Sequence, residues 1–286
     1  MAITHPSLIA SFLVIAFAYS AVGFGGGSSY IALLALAGVP YTAIPLIGLI
    51  CNLIVTLSGS WNFWRTGNFS GRLLWPFILG SIPCAYIGGR MQISAGTFYL
   101  VLGTMLILAA TRLLWLGGSA SKIATSEWPF IGKVAIGCVL GLVAGVTGIG
   151  GGIFLSPLLL NLGWGQPKQI AAAASAFILF NSIAGLFGQF TKSGADIIIF
   201  TGYLPLFAAV LIGGQIGSRL GASGRLQAHY FVRLTGILTF IVGVRLLIKQ
   251  IHHDKQILHT TIATIDFKES LPEGTFSKAA VTTADQ

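Results

Sequence analysis

The sequence predicts an all-α integral membrane protein of two homologous halves. Each half has about four transmembrane helices, with a glycine-broken or re-entrant helix near its start. Three observations predict this. The first is composition: of 286 residues 55% are hydrophobic and 8% charged, and the mean hydropathy is +0.86. A soluble domain carries roughly a quarter charged residues, so most of this surface must face lipid. The second is a series of apolar runs, several reaching the ~18 residues that cross a bilayer as a helix. The third is that one ordered set of residues occurs twice.

The apolar segments are 8–22, 28–38, 42–60, 73–90 and 96–116, then 132–147, 151–163, 169–190, 197–218 and 229–249. Between the two groups lies the polar stretch GGSASKIATSEWPF. The division is therefore a first repeat over 1–116, a linker over 117–131, a second repeat over 132–250 and a polar tail over 251–286. Segment 8–22 reads as a retained span: only His5 could charge the residues before it, and no small-residue cleavage pattern follows.

Ordered matches support a duplication. Gly23-Phe24-Gly25-Gly26-Gly27 is answered by Gly148-Ile149-Gly150-Gly151-Gly152. Asn52 and Asn181, Pro76 and Pro205, Gly88 and Gly217, and Arg90 and Arg219 are all 129 residues apart. Gly103 and Arg112-Leu113-Leu114 match Gly236 and Arg245-Leu246-Leu247 at 133. Chance supplies single glycine matches, but not an ordered series that includes Asn, Pro and Arg. Facing repeats around a central site are common in secondary transporters.

The sense of the repeat is open. Four spans per half make parallel repeats; five, counting the short segments, make inverted ones. An 11-residue helix covers only about 16 Å, half the bilayer core. The expectation is thus a re-entrant or broken element at 28–38 and 151–163, with eight conventional spans.

Charge and cysteine narrow the function. Residues 1–250 hold thirteen Lys or Arg and two acids, Glu127 and Asp196, so the membrane part carries +11 and the tail −2. Cytoplasmic loops collect such charge. The cations are scattered singly between spans, which argues against a nucleic-acid binder. No carboxylate lies clearly at membrane depth, against a cation carrier or a buried carboxylate proton relay. Cys51, Cys84 and Cys138 lie in apolar runs without metal spacing and read as small buried residues, with no disulfide framework. His229, His252, His253 and His259 form no metal set, and no cofactor is expected.

Consecutive glycines each cost a helix about 1 kcal/mol relative to Ala, so each cluster should interrupt its membrane segment. The freed backbone groups must then be protected within protein or line a cavity. A helix restarting after the break aims unpaired N–H groups and a positive dipole end at that cavity. Gly25, Gly26, Gly27, Gly150, Gly151 and Gly152 are therefore candidate anion-binding residues; close helix packing is the plainer reading. Asn52 and Asn181 join them, because an amide can donate to an oxyanion or bridge two helices. Thr147 is a further candidate, with Ser28 and Gln189 behind it. Arg90 and Arg219 close matching spans, as headgroup anchors or as anion captors at a cavity mouth. Trp61, Trp64, Trp75 and Trp115 sit near span ends, where interfacial aromatics belong.

The stretch from Gly145 through Gly148-Ile149-Gly150-Gly151-Gly152 to Ser156-Pro157-Leu158 resembles the signature of the TauE/SafE family of sulfite exporter and permease proteins. Gly23 to Gly27, Ile87-Gly88-Gly89-Arg90 and Ile216-Gly217-Ser218-Arg219 are similar, and the resemblance covers about residues 8–250. It implies a multi-pass bacterial inner-membrane transporter, often of sulfur-containing anions such as sulfite or organosulfonates. One position departs from the pattern: Pro157 follows the second glycine cluster, but Ala32 stands at the corresponding place after the first. That makes the second break the better site candidate. The functional expectation is a secondary transporter of small anions within a lipid bilayer, and not an enzyme. An anion-selective channel or a non-catalytic accessory subunit is the alternative. The oligomeric state is not legible.

Overall fold

The computed structural model describes residues 5–21, 24–115, 128–193, 197–222, 233 and 236–251. Linker residues 117–127, the tail from 252, Gly23, Glu127, Asp196, His229, His252, His253 and His259 lie outside the described residues. Nine helices follow in order: α1 (Pro6–Ala21), α2 (Gly27–Leu36), α3 (Ile44–Arg65), α4 (Gly71–Arg90), α5 (Ala95–Trp115), α6 (Phe130–Thr147), α7 (Gly152–Asn161), α8 (Pro167–Ser193) and α9 (Ile197–Ala222). Residues 236–251 form a further helix, α10. The protein is an all-α integral membrane protein. Within α3, α6, α8 and α9, four stretches of 18 to 26 residues are each apolar and long enough to cross a bilayer.

The element order of residues 6–90 returns in 130–222: a helix, a glycine break, a ten-residue helix, then two long helices. Local chemistry sets these limits. Proline opens α1 and α8 and lies in the first turn of α3, where its missing N–H has no helical partner to lose. Gly148 ends α6 at φ 81°, and α2 and α7 restart from Gly26 and Gly151 at φ 80° and 75°. L side chains adopt such angles only with strain, so glycine is required at these turns.

Helices from the two sets interlace. On α4 and α6, a Cβ added at Gly80, Gly137 or Gly141 would strike the carbonyl of Val134, Phe77 or Ser81. The same contact recurs between α9 and α1, where Gly213, Gly217 and Gly221 lie on the carbonyls of Leu13, Phe17 and Ala21. Backbones approach this closely only through small residues, the usual means of packing helices in lipid. In both pairs the residue numbers rise together, so the helices run parallel.

α3 and α8 run antiparallel: Ser60 and Thr56 meet Ser175, while Leu49 meets Gly185 and packs beside Leu186. α2 folds back along α1, with Tyr19 bonded to Ser29 and Phe12 stacked on Tyr30. The expected glycine-broken helix near the start of each half is present, at the starts of α2 and α7. Because the matching helices α3 and α8 point in opposite senses, the second set of elements is inverted relative to the first.

One expectation is corrected. Cys84 and Cys138 form a disulfide, and only Cys51, buried on α3, is free among the described cysteines. The pair is 54 residues apart in sequence, so no local spacing announces it. The glycine-lined contact of α4 with α6 brings the two side chains together. Trp61, Trp64 and Trp75 are 52%, 59% and 62% exposed at the ends of α3 and α4, the position of interfacial aromatics.

One measurement checks this packing. Denatured, unreduced protein treated with an alkylating reagent is expected to take up a single label, at Cys51; three labels would contradict the α4–α6 register.

Candidate functional site

The two glycine breaks meet at the middle of the molecule around one side chain. Asn52, fully buried on α3, donates through Nδ2 to the Gly148 carbonyl at 2.9 Å. Its Oδ1 has no partner. A Cβ placed on Gly25 would lie 2.6 Å from Asn52 Oδ1, one on Gly27 2.6 Å from Nδ2, and one on Gly150 2.9 Å from Nδ2. Asn52 therefore touches both breaks at once. Ile178, from α8, closes the other side: the same added atom would come within 3.2 Å of it at Gly25, 2.8 Å at Gly150 and 2.5 Å at Gly152.

Both short helices begin here, and neither has a side-chain cap or an acidic residue in its first turn. The first N–H groups of a helix have no intrahelical acceptor, and each helix start carries about half a positive charge. Two such starts converge at the breaks. The available space is small. A void of about 10 Å³ lies against Gly25–Ser28, Tyr19, Ile149 and Ile153, near the minimum for one water. It lies against the first break, although Pro157 made the second the better candidate from sequence. Ala32 and Pro157 leave α2 and α7 equal in length, ten residues each.

The other expected residues divide. Asn181 is fully buried on α8, and both its Nδ2 and its Oδ1 lack partners. It lies one turn beyond Ile178, on the face that reaches the glycines. Thr147 is also fully buried, but its hydroxyl donates to the Val143 carbonyl at 2.7 Å and accepts weakly from Ile149 N–H at 3.4 Å. It shapes the break and is not free to bind. Gln189 likewise donates to the Gly145 carbonyl at 3.2 Å. Ser28 lines the void, and its Oγ has no partner.

Sequence reading missed Ile178 and a hydroxyl relay beside the first break. Tyr19 Oη lies 2.9 Å from Ser29 Oγ, which lies 3.0 Å from Thr239 Oγ1 on α10. Ser29 is one of two adjacent serines in the first turn of an otherwise largely apolar α2, which could have signalled it, but nothing local marks its partners.

A buried amide left wholly unpaired costs the fold its desolvation without return, and such residues are commonly kept for function. The two asparagines should then respond differently to replacement by leucine of similar volume. Asn52→Leu orphans the Gly148 carbonyl and should lower stability by about 1–3 kcal/mol. Asn181→Leu breaks no bond and should leave the thermal midpoint in detergent unchanged or raised. Equal loss in both would show that Asn181 has a structural partner.

Comparison with known proteins gives the family. The family model described as "Sulfite exporter TauE/SafE" matches residues 8–246. A protein of Sinorhizobium fredii named "Probable membrane transporter protein y4hK" is 36% identical over 244 residues, covering 84% of this chain and 97% of the relative. "Probable membrane transporter protein YunE" of Bacillus subtilis is 25% identical over 64% of this chain and 72% of its own. A "Probable membrane transporter protein" of Haemophilus influenzae is 26% identical over 78% and 89%. No solved structure matches the chain. With its glycine breaks, multi-pass helices and near-complete family match, this chain belongs to the TauE/SafE family of membrane transporters.

Proposed function

We propose that the protein is a secondary transporter of small anions in the bacterial inner membrane, with sulfite and organosulfonates as its substrate class. The anion is held between the starts of α2 and α7, with Asn52 and Asn181 as side-chain donors. The observation that carries this reading is the meeting of two uncapped helix starts at a buried asparagine. Fixed backbone dipoles there favour negative charge, and glycine lets an oxyanion reach the N–H groups. The family description, which names a sulfite exporter, supports the sulfur-containing class.

A carrier fits better than a channel. The void at the glycines has room for about one water, so an anion can enter only when helices move. Such gating around a midplane site suits alternating access by inverted halves.

The test is uptake into proteoliposomes with sulfite, sulfate, thiosulfate, sulfoacetate and organic carboxylates. Saturable flux of at least one sulfur anion is expected. A hydrogen bond to a charged group is worth about 1.5–3 kcal/mol, so Asn181→Leu should weaken apparent affinity about 10–100-fold. Gly26→Leu and Gly151→Leu should abolish flux in protein that still reaches the membrane. Normal flux in all three variants would move the site elsewhere, and resolvable single-molecule currents would make the protein a channel.

A further inference from the structure

A cavity of about 870 Å³ opens between α3, α8 and α9, and none of the break glycines lines it. Its polar lining among the described residues is Ser58, Ser60, Asn62, Arg65, Gln215 and Arg219. Arg65 and Arg219 are exposed at the ends of α3 and α9, where Arg65 stacks over Trp61 at 5.4 Å. Asn62 donates to Ser218 Oγ at 3.0 Å, bridging α3 to α9. Ile54 and Ala176 also line the cavity, and each lies two residues along its helix from Asn52 or Ile178 of the glycine site. From the two guanidiniums at the helix ends the cavity thus reaches the level of that site, on other faces of α3 and α8.

The corresponding place on the opposite side is shut. Residues 129 apart allow the comparison: Leu57 with Leu186, Gly59 with Gly188, and Arg219 with Arg90. Leu57 is 60% exposed and lines the cavity, whereas Leu186 is 7% exposed and packs with Leu46 and Leu49. Gly188 abuts the backbone of Tyr86 and Arg90, so α8 lies directly on α4. Gly59 meets only Ser175 of α8 and nothing of α9. At matching levels α8 is closed on α4, while α3 stands off α9.

We propose that the α3–α8–α9 cavity is the anion-capture vestibule of this transporter, in which Arg65 and Arg219 receive the oxyanion before it reaches the glycine site. This rests on the anion-transport reading above. Guanidinium groups suit the task because their planar fork matches the oxygens of a sulfonate or sulfite and they stay charged at any working pH. Water must fill the cavity for the capture to operate, and lipid tails must not.

Cysteine accessibility tests this without requiring flux. Leu57→Cys and, separately, Ser60→Cys are introduced with Cys51→Ser, reconstituted, and treated with methanethiosulfonates bearing either a sulfonate or a trimethylammonium group. Both cysteines are expected to react, the sulfonate reagent about tenfold faster through electrostatic steering. Arg65→Gln with Arg219→Gln should erase that preference and raise the KM for anion uptake. Leu186→Cys should stay unlabelled. Unreactive cysteines at both 57 and 60 would mean a lipid-filled groove and overturn the proposal, as would a sulfonate preference that survives loss of both arginines. If labelling fails while anion uptake persists, only the vestibule is lost. If labelling succeeds while no anion is carried, the transport reading is lost and the anion-attracting cavity stands.

Discussion

Inside a membrane every backbone N–H and C=O must find a partner within the protein, because lipid offers none. The glycine breaks place two sets of such groups at the centre of this molecule, and the surrounding structure is arranged to enclose them. Asn52 meets the carbonyl left free at Gly148, and Thr147 supplies a hydroxyl to the same turn. Ile178 fills the space between the breaks. Neither short helix has a side-chain cap, and Asn52 Oδ1, Ser28 Oγ and both polar atoms of Asn181 have no partner.

Enclosing the centre requires helices from both sets to press together. The glycine contacts of α4 on α6 and of α9 on α1 supply two rigid parallel pairs, and the Cys84–Cys138 disulfide ties the first of them covalently. Each pair joins one helix from the first set to one from the second. Movement of α3 against α9, or of α8 against α4, can then take place between bodies that keep their own packing. The open and closed crevices on the two sides of the centre have the form such a movement would need.

Much of this was legible in the sequence, for physical reasons. Glycine runs in an apolar segment have few structural meanings, so the breaks at Gly25–Gly27 and Gly150–Gly152 and the short helices after them could be read directly. Composition sufficed for the membrane. Three features could not be read, because each depends on helices distant in sequence coming together. Cys84 and Cys138 meet only through the α4–α6 register. Asn52 and Asn181 look equivalent in sequence, yet one bridges to Gly148 and the other is unpaired. Thr147 looked like a donor to ligand, but its hydroxyl is spent on its own backbone. The antiparallel sense of α3 and α8 was hidden as well, since apolar length does not record the direction of a span.

The most direct measurement uses selenite, a sulfite analogue whose selenium scatters anomalously. Crystals of the protein grown with selenite should show an anomalous peak between the starts of α2 and α7, within hydrogen-bond reach of the Gly27 and Gly152 N–H groups and of Asn52. Selenium bound elsewhere, with those N–H groups unoccupied, would contradict an anion site built from the glycine breaks.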